Sequence, residues 1–458
     1  MFKTTTPPSR RAAAAFLTIC ALAACLAFPR AGASSAARVS ADTREGRITV
    51  FDDVWVTISS RYYDPATRGV DWAAARAEFR PLAADARTQT DFYRVLRRMI
   101  ATLRDAHTRV YAPGEPADWE RPAFVSVGVS LREIEGRVVV ARVERGSEAE
   151  RAGIKAGDEI SRVDGEAARA VVARRAADGV VASTDAASRL SAVAHLFDGA
   201  PASLAAVELT DARGDVRDVT LRRTLETRAP QLDARRTGSV AVVRFDLFTP
   251  GIAARFVRAL GGDDSRGDAR GSGVAAREPR DAARELRGAR ALVLDLRANG
   301  GGESEAMVDV ASALLPAGAP LGVFTDREGR AAASPRARRA MLFAADAIPV
   351  FRGAVVVLTG TRTASAAEIL VAALKDAGRA RVVGEQTCGC VLAVRERHRL
   401  PDGGALDVSE LDYRTARGAR LEGTGVAPDE TITPTRADIT RGRDPVLRRA
   451  IALLKTIR

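Results

Sequence analysis

Residues 291–302 read ALVLDLRANGGG, and this stretch decides how the second half of the chain folds. A short, continuous apolar run that ends in turn residues is typical of a buried strand. The three glycines predict a tight turn whose backbone N–H groups are accessible, because no side chain shields them. The turn lacks the Gly-Lys-Ser/Thr sequence of a phosphate-binding loop, so the stretch is a poor fit for a nucleotide site.

The segments around this stretch alternate between strands and helices. Apolar runs predict strands at residues 240–245, 291–296, 354–358 and 380–383, and helices at 303–315, 365–377 and 445–457. This order favours a mixed or parallel sheet that is covered by helices. We assign this core to residues 235–458. Residues 261–285 are rich in Gly, Asp, Arg and Ser, and they predict a disordered insertion within the core.

The first half of the chain divides into two blocks of different character. Residues 45–118 are predicted to be helical, because large apolar side chains recur at helical spacing, as in Val50, Phe51, Val54, Trp55 and Ile58. Thr90 is the expected N-cap of the last of these helices. Residues 122–224 instead predict short strands joined by Gly-Asp turns, as in a small β-barrel. We therefore expect an α/β (α+β) multidomain protein.

The N-terminal segment allows two interpretations. Three basic side chains within the first 11 residues precede an apolar stretch at residues 12–28, which predicts a signal peptide over residues 1–33. The apolar stretch is short for a transmembrane helix. Leu22-Ala23-Ala24-Cys25 also matches a bacterial lipoprotein cleavage box, which would leave Cys25 lipidated and the chain anchored to a membrane. Both interpretations predict export to the periplasm or cell envelope.

The composition argues against binding of nucleic acid, metals and cofactors. The formal net charge is +12, but the arginines are interspersed with acids, aromatic residues make up only 5%, and no nucleic-acid motif is present. Cys388 and Cys390 have no adjacent His and are a poor metal site. We expect them to be free, partly buried thiols, since a disulfide across one residue is uncommon. We expect neither a metal nor a cofactor.

Ser365 is the side chain in the core that best fits a nucleophile. It lies between the predicted strand at residues 354–358 and the helix that follows, so the free amides and the dipole of a helix N-terminus surround it. Such a place suits a developing oxyanion. The spacing of Ser365 and Glu368 is equally that of a capping box, so the serine on its own predicts either a cap or a nucleophile.

The order of four motifs resembles that of the C-terminal processing (tail-specific) serine peptidases. Ala-Gly-Ile-x-x-Gly-Asp-x-Ile at residues 152–160 is similar to PDZ domains, and it precedes Asp-Leu-Arg-x-Asn-x-Gly-Gly at 295–302. Thr-Ala-Ser-Ala-x-Glu at 363–368 and Gly-Thr-Gly-Val-Ala-Pro-Asp at 423–429 follow. The resemblance implies a PDZ-like domain at residues 122–224 and a ClpP/crotonase-like βαβ catalytic core.

The resemblance also implies roles for individual residues. Ser365 would be the nucleophile, and Gly300, Gly301 and Ala366 would form the oxyanion hole. In the PDZ-like domain a loop would bind the carboxylate of a peptide C-terminus, and the next strand would pair with the peptide. That loop would be formed by Ser126, Val127, Gly128 and Val129.

The sequence departs from the family at the catalytic base. Members with a Ser–Lys pair carry a lysine at the end of Gly-Glu-x-Thr-x-Gly-Lys, whereas residues 384–390 read GEQTCGC. A cysteine cannot take the role of that lysine. Only four of the 70 lysine and arginine residues are lysines, and Lys375 lies ten residues into the Ser365 helix, pointing away from its start.

The chain therefore resembles the tricorn-type branch, which uses a Ser–His–Glu arrangement. His107, in Leu-Arg-Asp-Ala-His-Thr, matches the histidine of that branch and would be the general base. Glu422 would be the acid that orients it. We expect His195 to be a packing residue and His398 to be exposed.

These observations predict an exported serine endopeptidase that cleaves peptide bonds near the C-termini of cell-envelope or unfolded proteins. Its partners would be proteins or peptides with free C-termini. The missing lysine leaves a second hypothesis open, in which the chain is an inactive relative that binds C-terminal tails or acts as a chaperone.

Overall fold

The computed structural model of the chain describes residues 39–115, 123–177, 182–227, 229–261, 286, 288–339, 341–342, 346–347 and 350–456. The predicted signal peptide with Cys25 and nearly all of the predicted insertion at residues 261–285 lie outside these residues. Within the described ranges, no helix is both long enough and apolar enough to cross a membrane.

Three helices open the described part of the chain, and they pack through the predicted apolar face. They are α1 (Arg44–Arg61), α2 (Trp72–Ala84) and α3 (Gln89–Ala101), with a short 3-10 turn at Thr67–Gly69 and strand β1 (Arg109–Tyr111) after them. The side chains of Val50, Phe51, Val54 and Ile58 have no exposed surface. The N-cap of α3 is Thr88 and not the predicted Thr90, because the Thr88 side chain accepts the Asp91 N–H at 3.0 Å.

A β-rich block follows, built on its own hydrophobic core. Its strands are β2 (Ala123–Ser126), β3 (Val129–Ile134), β4 (Arg137–Val143), β5 (Glu159–Val163), β6 (Glu166–Ala167), β7 (Leu204–Thr210), β8 (Val216–Arg222) and β9 (Thr224–Thr227). Its helices are α4 (Glu148–Arg151), α5 (Ala168–Ala177) and α6 (Asp185–Ala194). The main sheet has the order β3-β4-β5-β7-β8, with β6 on β5, while β2 pairs with β9. Strand β3 therefore forms one edge of the sheet.

The remaining elements form the α/β core. The strands are β10 (Leu232–Thr237), β11 (Val240–Phe245), β12 (Ala291–Asp295), β13 (Val323–Thr325), β14 (Ala331–Ala333), β15 (Met341–Leu342), β16 (Asp346–Ala347), β17 (Ala354–Thr359), β18 (Ala380–Gly384), β19 (Ala393–Arg399), β20 (Ala405–Arg414) and β21 (Glu430–Thr431). The helices are α7 (Pro250–Gly261), α8 (Ser304–Ser312), α9 (Ala366–Asp376), α10 (Arg436–Thr440) and α11 (Pro445–Thr456).

The main core sheet confirms the predicted mixed arrangement. Its order is β10-β11-β12-β17-β18-β21. β10 is antiparallel to β11, and the other neighbours are parallel. Because β12 and β17 are parallel neighbours, the turns that follow them lie at the same edge of the sheet. The glycine turn and the Ser365 turn therefore meet.

A second sheet joins the N-terminal helices to the core. In this sheet β1 pairs with β20 antiparallel, and β20 also pairs with β13 and β19. Leu406 and Val408 of β20 belong to the same apolar cluster as the helices α1 to α3. His107 lies two residues before β1, so this pairing holds the end of the helical segment against the core.

Candidate active site

Ser365 precedes helix α9 in a strained backbone conformation. Its φ of +55° and ψ of −124° lie outside the regions that a non-glycine residue normally adopts. The Ser365 N–H lies 2.8 Å from the Cys390 carbonyl oxygen and 3.1 Å from Oε2 of Glu368. The predicted capping box with Glu368 is therefore present, and the Cys390 carbonyl and the Glu368 carboxylate hold the strained residue in place.

His107 lies next to this serine. Its Nε2 is 3.3 Å from Oγ of Ser365, and its Nδ1 is buried without a hydrogen-bond partner in the described part of the chain. Burial lowers the pKa of His107 to about 4, although the charge of Asp105 opposes this shift. The imidazole is therefore neutral at neutral pH, the form that can accept a proton from a serine hydroxyl.

Glu422 is buried close to these residues but is bonded to other groups. Its Oε1 accepts a hydrogen bond from Arg68 at 2.9 Å, and its Oε2 accepts the Val391 N–H at 2.9 Å. Burial raises the pKa of Glu422, and a hydrogen bond with Ser183 opposes the shift. Since Nδ1 of His107 is unpartnered, the predicted contact between Glu422 and the imidazole is not formed in this structure.

Asp105 is a carboxylate that binds the backbone of His107, and no role was predicted for it from the sequence. Its Oδ1 accepts the backbone N–H of His107 at 2.8 Å, and its Oδ2 accepts the Thr108 hydroxyl. The side chain is fully buried, and its charge partly opposes the lowering of the His107 pKa by burial. An Asp two residues before the histidine is the signal of an Asx-turn, which could have pointed to this residue.

The glycine turn reaches Ser365 as expected. Gly301 has a φ of +102°, and a Cβ at this position would lie 2.6 Å from the Cβ of Ser365. The N–H of Gly301 donates to Oδ1 of Asn299 at 2.9 Å, and the N–H of Gly300 donates to the Asp246 carbonyl at 3.1 Å. Both glycine amides thus have acceptors within the protein.

The third residue of the predicted oxyanion hole, Ala366, is the first residue of α9. Its N–H has no acceptor within the helix, because the first four amides of any helix lack one. Among the three predicted residues, Ala366 therefore offers the amide that is best placed to bind an oxyanion.

Glu368 connects Ser365 to residues 387–390. Its carboxylate accepts hydrogen bonds from the N–H groups of Ser365, Gly389 and Cys390 and from the Thr387 hydroxyl. The side chain has no exposed surface, and burial raises its pKa to about 7 against the effect of these hydrogen bonds. From the sequence, Glu368 was predicted only as half of a capping box.

The prediction for the two cysteines was wrong. Cys388 and Cys390 form a disulfide, so they are not the free thiols that we expected. Their Cα atoms are 5.3 Å apart, within the range that a disulfide requires. Gly389 between them has a φ of +72°, a conformation that lets the chain bend back and that a residue with a Cβ rarely adopts.

The other candidate bases are engaged elsewhere. Nζ of Lys375 donates to the Ala427 carbonyl at 2.6 Å and pairs with Asp429 at 3.0 Å, at the far end of α9. His195 is not a packing residue, because its side chain is 55% exposed at the end of α6. His398 is not exposed, because strand pairing places its ring against Glu410, with 2.9 Å between Nε2 and Oε1.

The predicted carboxylate loop begins at the end of β2 and leads into β3. Oγ of Ser126 accepts the Gly128 N–H at 2.9 Å, Val127 is buried in the core of the block, and Val129 begins β3. β3 is an edge strand with α6 beside it. A strand at a sheet edge next to a helix is the geometry in which a peptide can add as a further strand.

Comparisons with known proteins agree with this architecture. Residues 267–432 match peptidase family S41, residues 44–101 match the tricorn protease C1 domain, and residues 123–187 match the PDZ domain. A chloroplastic C-terminal processing peptidase of Tetradesmus obliquus is 29% identical over 397 residues, covering 84% of this chain and 77% of the relative. The chain thus contains a peptidase family S41 domain, together with a tricorn protease C1 domain and a PDZ domain. It is a serine-type peptidase with a PDZ domain, and its substrates are proteins.

Further relatives and solved structures agree with these domain matches. A carboxyl-terminal-processing protease of Synechocystis sp. is 27% identical over 416 residues, which cover 87% of this chain and 85% of the relative. The solved structure of a photosystem II D1 C-terminal processing protease superposes with a TM-score of 0.53 at 25% identity, covering 86% and 96% of the two chains. Mature CPAF has a TM-score of 0.64 at 15% identity, covering 90% and 97%, and shows the shared fold.

Proposed function

We propose that this protein is an exported endopeptidase that cleaves peptide bonds near the C-termini of proteins, with Ser365 as nucleophile and His107 as general base. The observation that carries the proposal is the distance of 3.3 Å between Nε2 of His107 and Oγ of Ser365. The low pKa of His107 supports it, because an imidazole that is neutral at neutral pH is ready to accept the serine proton.

The reaction follows from this pair. His107 takes the proton of Ser365 as Oγ attacks the carbonyl carbon of the scissile bond, and the Ala366 N–H faces the oxygen on which negative charge develops. The protonated imidazole then gives its proton to the leaving amine. A water molecule, activated by the same histidine, hydrolyses the acyl-enzyme.

Two carboxylates are candidates for the acid that orients His107. Glu422 is the residue that the tricorn-type resemblance implies, and it is buried near enough to Asp105 for that charge to raise its pKa. Asp105 is the carboxylate that already holds the His107 backbone. We retain Glu422 as the proposed acid for the form with bound substrate, because catalytic hydrogen bonds often tighten only in that form.

The substrate class follows from the PDZ domain and from the relatives. The position of β3 at the edge of its sheet supports pairing with an extended peptide C-terminus, and the relatives are named for C-terminal processing. Export rests on the predicted signal peptide at residues 1–33, and membrane anchorage would require lipidation of Cys25. We propose cell-envelope or unfolded proteins as substrates.

A fluorophosphonate probe tests the nucleophile and the base. It should label the wild-type chain at Ser365 and leave Ser365→Ala unlabelled, since only an activated serine reacts. His107→Ala should slow labelling about 10²- to 10⁴-fold, the usual effect of removing a general base. Labelling of His107→Ala at the wild-type rate would show that another group activates the serine.

The same assay separates the two candidate acids. If Glu422 orients the imidazole, Glu422→Gln should slow labelling about tenfold or more, because the neutral amide cannot stabilise an imidazolium. Asp105→Asn is the matched change at the competing carboxylate. A loss of rate in Asp105→Asn without one in Glu422→Gln would assign the role to Asp105.

A further inference from the structure

Residues 387–391, here called the cysteine loop, contact the elements around the active site through their backbone. The Cys390 carbonyl accepts the Ser365 N–H at 2.8 Å, and the Val391 N–H donates to Glu422 at 2.9 Å. The N–H groups of Gly389 and Cys390 both donate to Glu368. The loop thus touches the proposed nucleophile, the proposed acid and the buried carboxylate between them.

The loop has further backbone partners on either side. The Cys388 N–H donates to the Thr363 carbonyl at 2.9 Å, and the Gly389 carbonyl accepts the Gly423 N–H at 2.8 Å. The Cys388 carbonyl accepts a hydrogen bond from the Thr184 hydroxyl of the PDZ domain at 3.0 Å. A change in the shape of the loop would therefore displace groups that are hydrogen-bonded to the serine turn, to the Glu422 turn and to the PDZ domain.

The disulfide fixes the shape of this loop. A disulfide holds two sulfur atoms about 2 Å apart. Two sulfur atoms that are not bonded prefer a separation of about 3.5–4 Å. Two thiols therefore cannot occupy the positions of the bonded sulfurs. Cys390, which is only 2% exposed and packs against Ala182 and Ala187, anchors one end of the bond. Reduction removes this restraint from the backbone of the loop.

We propose that the Cys388–Cys390 disulfide is a positioning element for Ser365, and that a dithiol reductant lowers peptidase activity reversibly by opening it. This inference rests on the proposed role of Ser365 as nucleophile. Cys390 stands at the sequence position where Ser–Lys relatives carry their base. In this chain, the disulfide at that position constrains the backbone that holds the strained Ser365.

The chemistry is thiol–disulfide exchange. A thiolate of the dithiol attacks the sulfur of Cys388, which is the more exposed of the two, and the bond between the cysteines breaks. The second thiol of the reductant then resolves the mixed disulfide. Cys388 and Cys390 gain two electrons and two protons, and the dithiol is oxidised to its own disulfide.

The test measures how fast the full-length chain is labelled by a fluorophosphonate before reduction, after treatment with dithiothreitol followed by its removal, and after reoxidation. Alkylation and mass analysis of the tryptic peptide 382–395 establish the redox state of the pair. We expect a rate on the order of ten- to a hundredfold lower after reduction, as small misplacements of reacting groups cause. Reoxidation should restore the rate.

Rate and amplitude separate positioning from unfolding. A misplaced serine lowers the rate constant while all molecules are still labelled in the end, whereas partial unfolding lowers the labelled fraction. The double variant Cys388→Ser/Cys390→Ser should react slowly and show no response to dithiothreitol. Because the wild-type chain is compared with itself, the result does not depend on whether this variant folds.

The test separates failure of the nucleophile assignment from failure of the proposed role of the disulfide. If the oxidised chain is not labelled at Ser365, the nucleophile assignment is wrong and this inference falls with it. If the oxidised chain is labelled and the fully reduced chain reacts at the same rate, only the role of the disulfide is overturned. A loss of labelled fraction at an unchanged rate would likewise overturn positioning and leave a structural role.

Discussion

At the scale of single residues, the site depends on backbone contacts more than on side-chain contacts. Ser365 adopts a positive φ that costs free energy, and its N–H is held by the Cys390 carbonyl and the Glu368 carboxylate. Its hydroxyl lies 3.3 Å from Nε2 of His107. The capping box with Glu368 is also present, so Ser365 begins helix α9 and presents its hydroxyl to the imidazole at the same time.

The pKa of His107 sets the acid limit of activity. Burial lowers this pKa to about 4, so the imidazole stays neutral, and able to accept a proton, well below pH 6.5. As pH falls through the pKa, the imidazole becomes protonated and the labelling rate of Ser365 should fall with a midpoint near 4. The rate should be measured from pH 3.5 to 8, with circular dichroism confirming at each pH that the chain is folded.

A second buried group, Glu368, would give a different pH dependence of labelling. Burial raises the pKa of Glu368 to about 7, and protonation of this carboxylate would weaken its hold on the Ser365 N–H. An acid limb centred near 7 would therefore assign the pH dependence to Glu368 and contradict the prediction for His107.

The roles of single residues were only partly predictable from the sequence. Ser365 and His107 could be named because each lies in a motif whose order resembles the family. The partners of Glu422 could not be named, because Arg68 lies 354 residues away along the chain and meets it only through the fold. The burial of His398 and the exposure of His195 likewise depend on neighbours that no local pattern reveals.

At the scale of elements, the glycine turn after β12 controls how closely the chain can approach the serine. Gly301→Ala should destabilise the fold by about 1–3 kcal/mol and slow labelling of Ser365, because the new Cβ would lie 2.6 Å from the Cβ of the serine at a φ of +102°. Thermal unfolding and the labelling rate are the two measurements.

Gly300→Ala is the matched control for this turn. A Cβ at Gly300 would have no atom within 4 Å, and its φ is not positive, so both measurements should stay close to wild type. Equal effects of the two substitutions would show that the close approach at Gly301 is not what the turn requires.

The elements themselves were the most predictable part of the chain. The run at residues 291–296 and the glycines after it predicted a strand and a turn, and β12 and the Gly301 turn confirm both. The disulfide was mispredicted because disulfides between cysteines that are separated by one residue are uncommon. That expectation did not include the bend that Gly389 allows. Helix boundaries were also uncertain, as the shift of the N-cap from Thr90 to Thr88 shows.

At the scale of the whole molecule, the PDZ domain contacts the active site directly. Residues 182–187 pack against Cys390 and Ala364, and Oγ of Ser183 accepts the Ala106 N–H at 3.2 Å. The Thr184 hydroxyl donates to the Cys388 carbonyl at 3.0 Å. The PDZ domain is thus hydrogen-bonded to the loop that carries the proposed base and to the cysteine loop that positions Ser365. A shift of the domain would therefore change the geometry of both loops.

Thr184→Val tests this coupling. Thr184 caps α6 and also donates to the Cys388 carbonyl, whereas Thr88 caps α3 in the same way without touching the cysteine loop. Valine at either position removes the cap and should cost about 0.5–2 kcal/mol of stability. Only Thr184→Val should also slow labelling of Ser365, by roughly fivefold, which corresponds to the loss of one hydrogen bond. If both variants are labelled at the wild-type rate, the contact holds the domain in place without affecting the serine.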